Sequence, residues 1–200
     1  MAFMDHTDLL GRLEFLRVAE QLKDTLRSAH TTNARTESTA EHSWRLTLFA
    51  MTFADQFPEL DQTRVLKTCV LHDLGECIHG DIPAPAQDPK APKSDAERED
   101  FRAVIASLPN LLKAEFLGLW DDYENAATPE ARLVKALDKL ETILQHNQGD
   151  NPANFDYRFN LGYGRVATDA FALTKTIRAE LDRQTRAHAA CADQAETDEI

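Results

Sequence analysis

Apolar residues recur at helical spacing along almost the whole chain, and no segment shows sustained strand alternation. Over residues 7–28, Leu9, Leu10, Leu13, Leu16, Val18, Leu22 and Leu26 form one helical stripe with Arg27 at its end. A polar loop, SAHTTNARTE, follows. Ser38-Thr39-Ala40-Glu41 is a capping box and predicts the next helix start. His42 shares a face with Leu46, Phe49 and Phe53, so it should point inward. Asp61 caps a helix predicted over 62–79. Gly80 with Pro83, Pro85, Pro89 and Pro92 predicts a stiff loop over 80–93. Helices resume at 94–107 and 110–125. Thr128-Pro129 reads as an N-cap followed by proline at the first helical position, opening a helix to about 147. A last helix is predicted over 165–187. The expected fold is an all-α helical bundle, one domain over 1–187 with a flexible tail over 188–200.

One stretch breaks this apolar logic. Cys69–Ala84 reads CVLHDLGECIHGDIPA and sets His72 beside Asp73 in a helix whose other members include Val65, Leu66, Cys69, Val70, Leu71 and Leu74. An ionised carboxylate buried without a partner is very costly. A divalent metal is one partner that accepts imidazole nitrogen and carboxylate oxygen together. At 100° per residue, Glu76 falls roughly 40° from His72 and roughly 60° from Asp73, one turn on. A carboxylate there is placed to handle the protons of water at such a metal. In the 129–147 helix two acids compete for a place beside it. Glu141 lies inside the stripe of Leu133, Val134, Leu137, Leu140 and Leu144, and Asp138 lies at its edge. Periodicity does not choose between them.

Composition narrows the partners. Hydrophobic residues make up 42% of the chain, enough for a packed core, and the net charge is −12. There is no Lys/Arg run, so a nucleic-acid polymer is not an expected partner. A mononucleotide is, because one metal and one or two arginines can hold one phosphate. The three cysteines, Cys69, Cys77 and Cys191, are an odd number and suggest a reducing compartment, the cytoplasm. No basic start leads into an apolar run at the N-terminus, so no signal peptide is read. No apolar segment approaches the ~18 residues that span a membrane, so no membrane partner is expected.

The order His … His-Asp … Asp on separate helices resembles the HD superfamily of metal-dependent phosphohydrolases. AEHSWR, LHDLGECIHGDIPAP and LVKALDKLE look like its YfbR-like 5′-deoxynucleotidase branch and the eukaryotic HD-domain relatives, with similarity over roughly residues 10–180. The resemblance implies an HD-domain helical bundle with His42, His72, Asp73 and Asp138 as metal ligands. Glu76 matches the family's catalytic carboxylate, and Asp81 the loop acid that positions or protonates the substrate. Arg27 falls where the family places an arginine on the phosphate. Ser28 stands where the family has a bulkier, sugar-contacting residue, tryptophan in some members, and this departure bears on the choice between deoxyribose and ribose. Arg35 is a competing phosphate ligand, because NARTESTAEH leads straight to His42. The implied cofactor is one divalent cation. Mixed N/O donors admit Mn, Co, Zn, Fe or Mg, and the resemblance favours Co or Mn.

The implied activity is release of phosphate from deoxyribonucleoside 5′-monophosphates, by a homodimer. Phosphodiesterase or triphosphohydrolase chemistry would want more basic residues for the extra phosphates. A nucleotide-binding module without catalysis would not need the complete ligand set.

Overall fold

The computed structural model describes residues 4–81 and 93–198. Pro83, Pro85, Pro89 and Pro92 of the expected stiff loop lie outside them. Helix α1 (His6–Ala19) runs into a short 3-10 turn (Glu20–Lys23) and a two-stranded hairpin, β1 (Leu26–His30) and β2 (Thr36–Ser38). Then come α2 (Thr39–Thr52), α3 (Gln62–Leu71), the single turn α4 (Glu76–His79), α5 (Lys93–Val104), α6 (Asn110–Glu124) and α7 (Pro129–Gln148). Two single-turn helices, α8 (Phe159–Gly162) and α9 (Arg165–Thr168), lead to the long α10 (Ala172–Asp198). The fold is α-helical, as expected, with one small antiparallel sheet among the described residues.

Capping chemistry sets the starts of the helices that carry the site. The Ser38 hydroxyl accepts from the Glu41 backbone N–H at 3.3 Å, and the Glu41 carboxylate accepts from the Ser38 N–H at 2.9 Å. Asp61 accepts from the Arg64 N–H, and Thr128 from the Ala131 N–H with Pro129 behind it. Helix α7 is the central rod. It touches α2, α3, α6, α9, α10 and β1, and buries Leu133, Val134, Leu137, Leu140 and Ile143. These pack with Leu46, Val65, Cys69 and Leu181 into one core cluster. A second cluster joins Leu22, Leu71, Leu74, Phe101, Val104, Leu119 and Trp120.

The structure departs from the sequence expectations in four places. Residues 26–28, expected to close the first helix, and Ala29 and His30 of the expected polar loop pair as a strand, with Leu26 opposite Ser38 and His30 opposite Thr36. The cause is partly tertiary: Gln145 of α7 donates to the His30 carbonyl at 2.5 Å, and the Asp150 N–H donates to the Thr31 carbonyl. Leu9, Leu10, Leu13 and Leu16 of α1 are exposed, and the helix is seated instead through Phe15 and Val18 on the second cluster. The predicted 62–79 helix ends at Leu71, and a turn over 72–75 precedes α4. Gly75 in that turn lies against α5, where a Cβ would sit 3.2 Å from the Glu97 carbonyl oxygen and 3.3 Å from the Phe101 nitrogen. Finally, α10 starts at Ala172 rather than 165 and stays helical to Asp198, through much of the stretch expected to be a flexible tail.

Candidate metal centre

His42 sits in the first turn of α2, fixed there by the capping box, and is fully buried. His72 is the C-cap of α3, still in the αR conformation, and Asp73 follows it into the turn. Asp138 projects from the middle of α7. The ligand-type atoms of His42, His72 and Asp73 lie within 4.8 Å of one another. Asp73 Oδ2 is 3.0 Å from His72 Nε2 and 3.8 Å from His42 Nε2, and Asp138 Oδ1 is 3.2 Å from His42 Nε2. The four side chains that the resemblance singles out therefore converge.

The hydrogen bonds on the far edges of the rings decide what the near edges offer. His72 Nδ1 lies 3.0 Å from the Cys69 carbonyl, which can only accept, so Nδ1 carries a proton. His42 Nδ1 lies 2.5 Å from Glu141 Oε2. Both Nε2 atoms are buried and make no hydrogen bond. Buried polar atoms are normally satisfied. Two orphaned imidazole nitrogens aimed among two carboxylates form a donor set that fits a divalent cation.

Electrostatics agree. Burial and Arg27 oppose charge on His42, yet Glu141 and Asp138 outweigh them and push its pKa up to about 10. Burial opposes charge on Asp73 and Asp138 as well; His72 holds the first below the usual carboxylate range, and Lys139 with His42 the second. This anionic cage attracts positive charge. Asp138 is anchored on its other oxygen by the Tyr123 hydroxyl at 2.7 Å and Lys139 Nζ at 2.9 Å.

Arg27 reaches the cluster from strand β1, not from a helix end. Its Nη1 is 3.5 Å from Asp73 Oδ2, and Nη2 donates to Thr142 Oγ1 at 3.2 Å. Burial works against its charge, but Asp73, Asp138, Glu141 and Asp81 raise its pKa. Glu76 accepts from the Thr39 hydroxyl at 3.1 Å. Burial, then the charges of Asp73 and Asp81, push Glu76 up to about 9. Asp81 is thus close enough to be felt at both Arg27 and Glu76. Ser28 is exposed on the hairpin. Arg35 is exposed and bound to Glu41 through Nη1 and Nη2, at 2.9 and 2.6 Å, and to the Thr36 carbonyl. None of these partners belongs to the cluster.

Several neighbours carried no sequence signal. Glu37, buried in what reads as a polar loop, lies 3.5 Å from Arg27 Nε, and burial with Glu141 pushes it up to about 7. Thr39, Tyr123 and Thr142 look like ordinary helix residues. Glu141 did leave a trace, as an acid inside an apolar stripe.

A helical scaffold gathering a His … His-Asp … Asp set defines a class, and a family model described as HD domain matches residues 19–178, so the chain belongs to the HD domain family. Among its relatives, mouse 5′-deoxynucleotidase HDDC2 is 35% identical over 160 residues, spanning 78% of this chain and 79% of that protein. Human 5′-deoxynucleotidase HDDC2 is 37% identical over 139 residues, spanning 68% and 67%. A solved structure described as a predicted metal-dependent phosphohydrolase from Magnetospirillum magnetotacticum MS-1 superposes with a TM-score of 0.69 at 26% identity, covering 90% of this chain and 97% of that one.

Proposed function

We propose that this protein is a metal-dependent 5′-deoxynucleotidase that releases phosphate from deoxyribonucleoside 5′-monophosphates, as the names of its relatives suggest. The observation that carries the reading is the pair of buried, unpartnered Nε2 atoms of His42 and His72 facing Asp73 and Asp138. These four side chains would hold one divalent cation, with manganese or cobalt favoured. When bound, such a cation supplies Lewis-acid polarisation of the phosphoryl group and a nucleophile from water at neutral pH.

The protein's own groups do the rest. Arg27 presents a planar fork that suits two phosphoryl oxygens, and its present contacts to Asp73 and Thr142 are long enough to yield to them. Glu76, raised by burial and by Asp73 and Asp81, is placed to exchange a proton with the attacking water or the leaving 5′ oxygen. Asp81 serves beside it at the leaving group. Ser28, small and exposed, leaves the sugar less enclosed than a tryptophan would.

We read the working unit as a cytoplasmic homodimer. The exposed α1 leucines support self-association, which sedimentation would measure, and the free thiols of Cys69, Cys77 and Cys191 suit a reducing compartment. Among the described residues no helix is long and apolar enough to cross a membrane.

The test of the activity is phosphate release from a panel of deoxy- and ribonucleoside 5′-monophosphates with Mn²⁺ or Co²⁺. Turnover of the deoxynucleotides is expected. No release from any nucleotide, by protein shown to carry the ion, would overturn the proposal.

A further inference from the structure

The His42 ring meets carboxylates on both edges. Nε2 faces Asp138 and Asp73, at 3.2 and 3.8 Å. Nδ1 lies 2.5 Å from Glu141 Oε2. Two groupings of ligand-type side chains therefore share this ring, His42 with His72 and Asp73, and His42 with Glu37 and Glu141. An imidazole that ligates a cation has one lone pair and one N–H, so it serves one side as a ligand and the other as a donor. Nothing in the ring itself decides which.

We propose that Glu141 decides it: by accepting the Nδ1–H, it turns the Nε2 lone pair toward Asp73, Asp138 and His72, and so acts as the positioning residue of the metal centre. The inference rests on the metal-centre reading above. Glu141 is itself held in place. Its side chain is wholly buried, and its other oxygen lies 3.6 Å from Arg45 Nε. Arg45 is braced in turn by Gln145 and by Gln148. Glu141 follows Asp138 by three residues on α7, so one helical face supplies an acid to each edge of the same ring. His72 shows the same division, with the Cys69 carbonyl in the role of Glu141. The grouping of Glu37, His42 and Glu141 is then the rear support of one cation site and not a second site. Outer partners of this kind are the usual means of fixing a ligating histidine.

The experiment compares wild type with Glu141→Gln, an isostere whose amide can donate as readily as accept. Proton NMR of the metal-free full chain should show a far-downfield, slowly exchanging His42 Nδ1–H that moves upfield in the variant. Calorimetric titration with Mn²⁺ or Co²⁺ should show affinity about 10–100-fold weaker in the variant, with circular dichroism unchanged. A downfield proton that persists in Glu141→Gln, or an ion bound as tightly as by wild type, overturns the role of Glu141. A wild-type chain that binds neither ion overturns the metal centre itself. If the variant does not fold, the wild-type spectrum decides: a His42 Nδ1–H without the downfield position overturns the inference.

Discussion

Helix α7 borders two clusters of buried charge built to opposite rules. On one side is the guanidinium of Arg178, 1% exposed, with all its N–H donors employed. Nε donates to Asp182 at 2.7 Å, Nη1 to the Tyr163 carbonyl and Thr168, and Nη2 to the Asn160 and Leu161 carbonyls. Asp182 also accepts from Arg165 at 2.5 Å. On the other side, His42 and His72 keep bare Nε2 atoms among Asp73 and Asp138. His42 and His72 are as deeply buried as Arg178, but their partners are fewer. The finished cluster fastens α8 and α9 to α10 and has no capacity left for a ligand. The unfinished one keeps open the valences that a cation would fill. A buried charge indicates function when its partners fall short, and architecture when they suffice.

Mutations should separate the two clusters. The largest effect expected is on catalysis: Glu76→Gln should cut phosphate release by about 10²–10⁴-fold while the urea unfolding midpoint stays near wild type. Equal losses of activity and folding would erase the contrast. Next, Arg178→Met strands the Asp182 carboxylate and should cost about 3–5 kcal/mol in urea unfolding, with the Mn²⁺ affinity of the folded fraction preserved. A cost below that of an ordinary surface substitution would mean the finished cluster is not structural. Third, Mn²⁺ at about a hundred times its Kd should stabilise wild type by about 2.7 kcal/mol and leave His72→Ala unmoved. Equal stabilisation of both proteins would place the ion elsewhere.

The smallest effect concerns His146 of α7, which is bonded to Asn160 at 2.9 Å. Burial lowers its pKa below the ordinary histidine value, against the raising effect of Asn160. A group depressed in the folded state stays neutral there while the unfolded chain takes up a proton. Its stabilisation is therefore complete above the unfolded value of about 6.5 and is lost as pH falls through it. The thermal-midpoint advantage of wild type over His146→Gln should shrink between about pH 7.5 and about pH 5.5. An advantage that grows on acidification would reverse the assignment.

What could be read from sequence was local or periodic. The Ser38, Asp61 and Thr128 caps and the inward face of His42 follow from short-range pattern, and the structure reproduces them. The hairpin was not legible. Leu26–His30 carries no strand alternation and is held from outside by Gln145 of α7. Arg27 was therefore noticed, but on the wrong element. Arg35 leads straight to His42 in sequence, yet Glu41, the capping acid, takes its guanidinium. Periodicity left Asp138 and Glu141 undecided and the family resemblance chose Asp138; the two face opposite edges of one ring, which a helical wheel cannot represent.

The central helix has one further consequence. From Asp138 to Asn147 it carries, in under three turns, contacts to the His42 cluster, Arg27, the hairpin and the seam with α10, where Asn147 donates to the Leu181 carbonyl and accepts from Thr185. It behaves as a common axle: none of these settings can be retuned alone by sliding or rolling it. Divergence of such a chain toward new substrates is then easier at the rim, on the hairpin and around Asp81, than along the shaft.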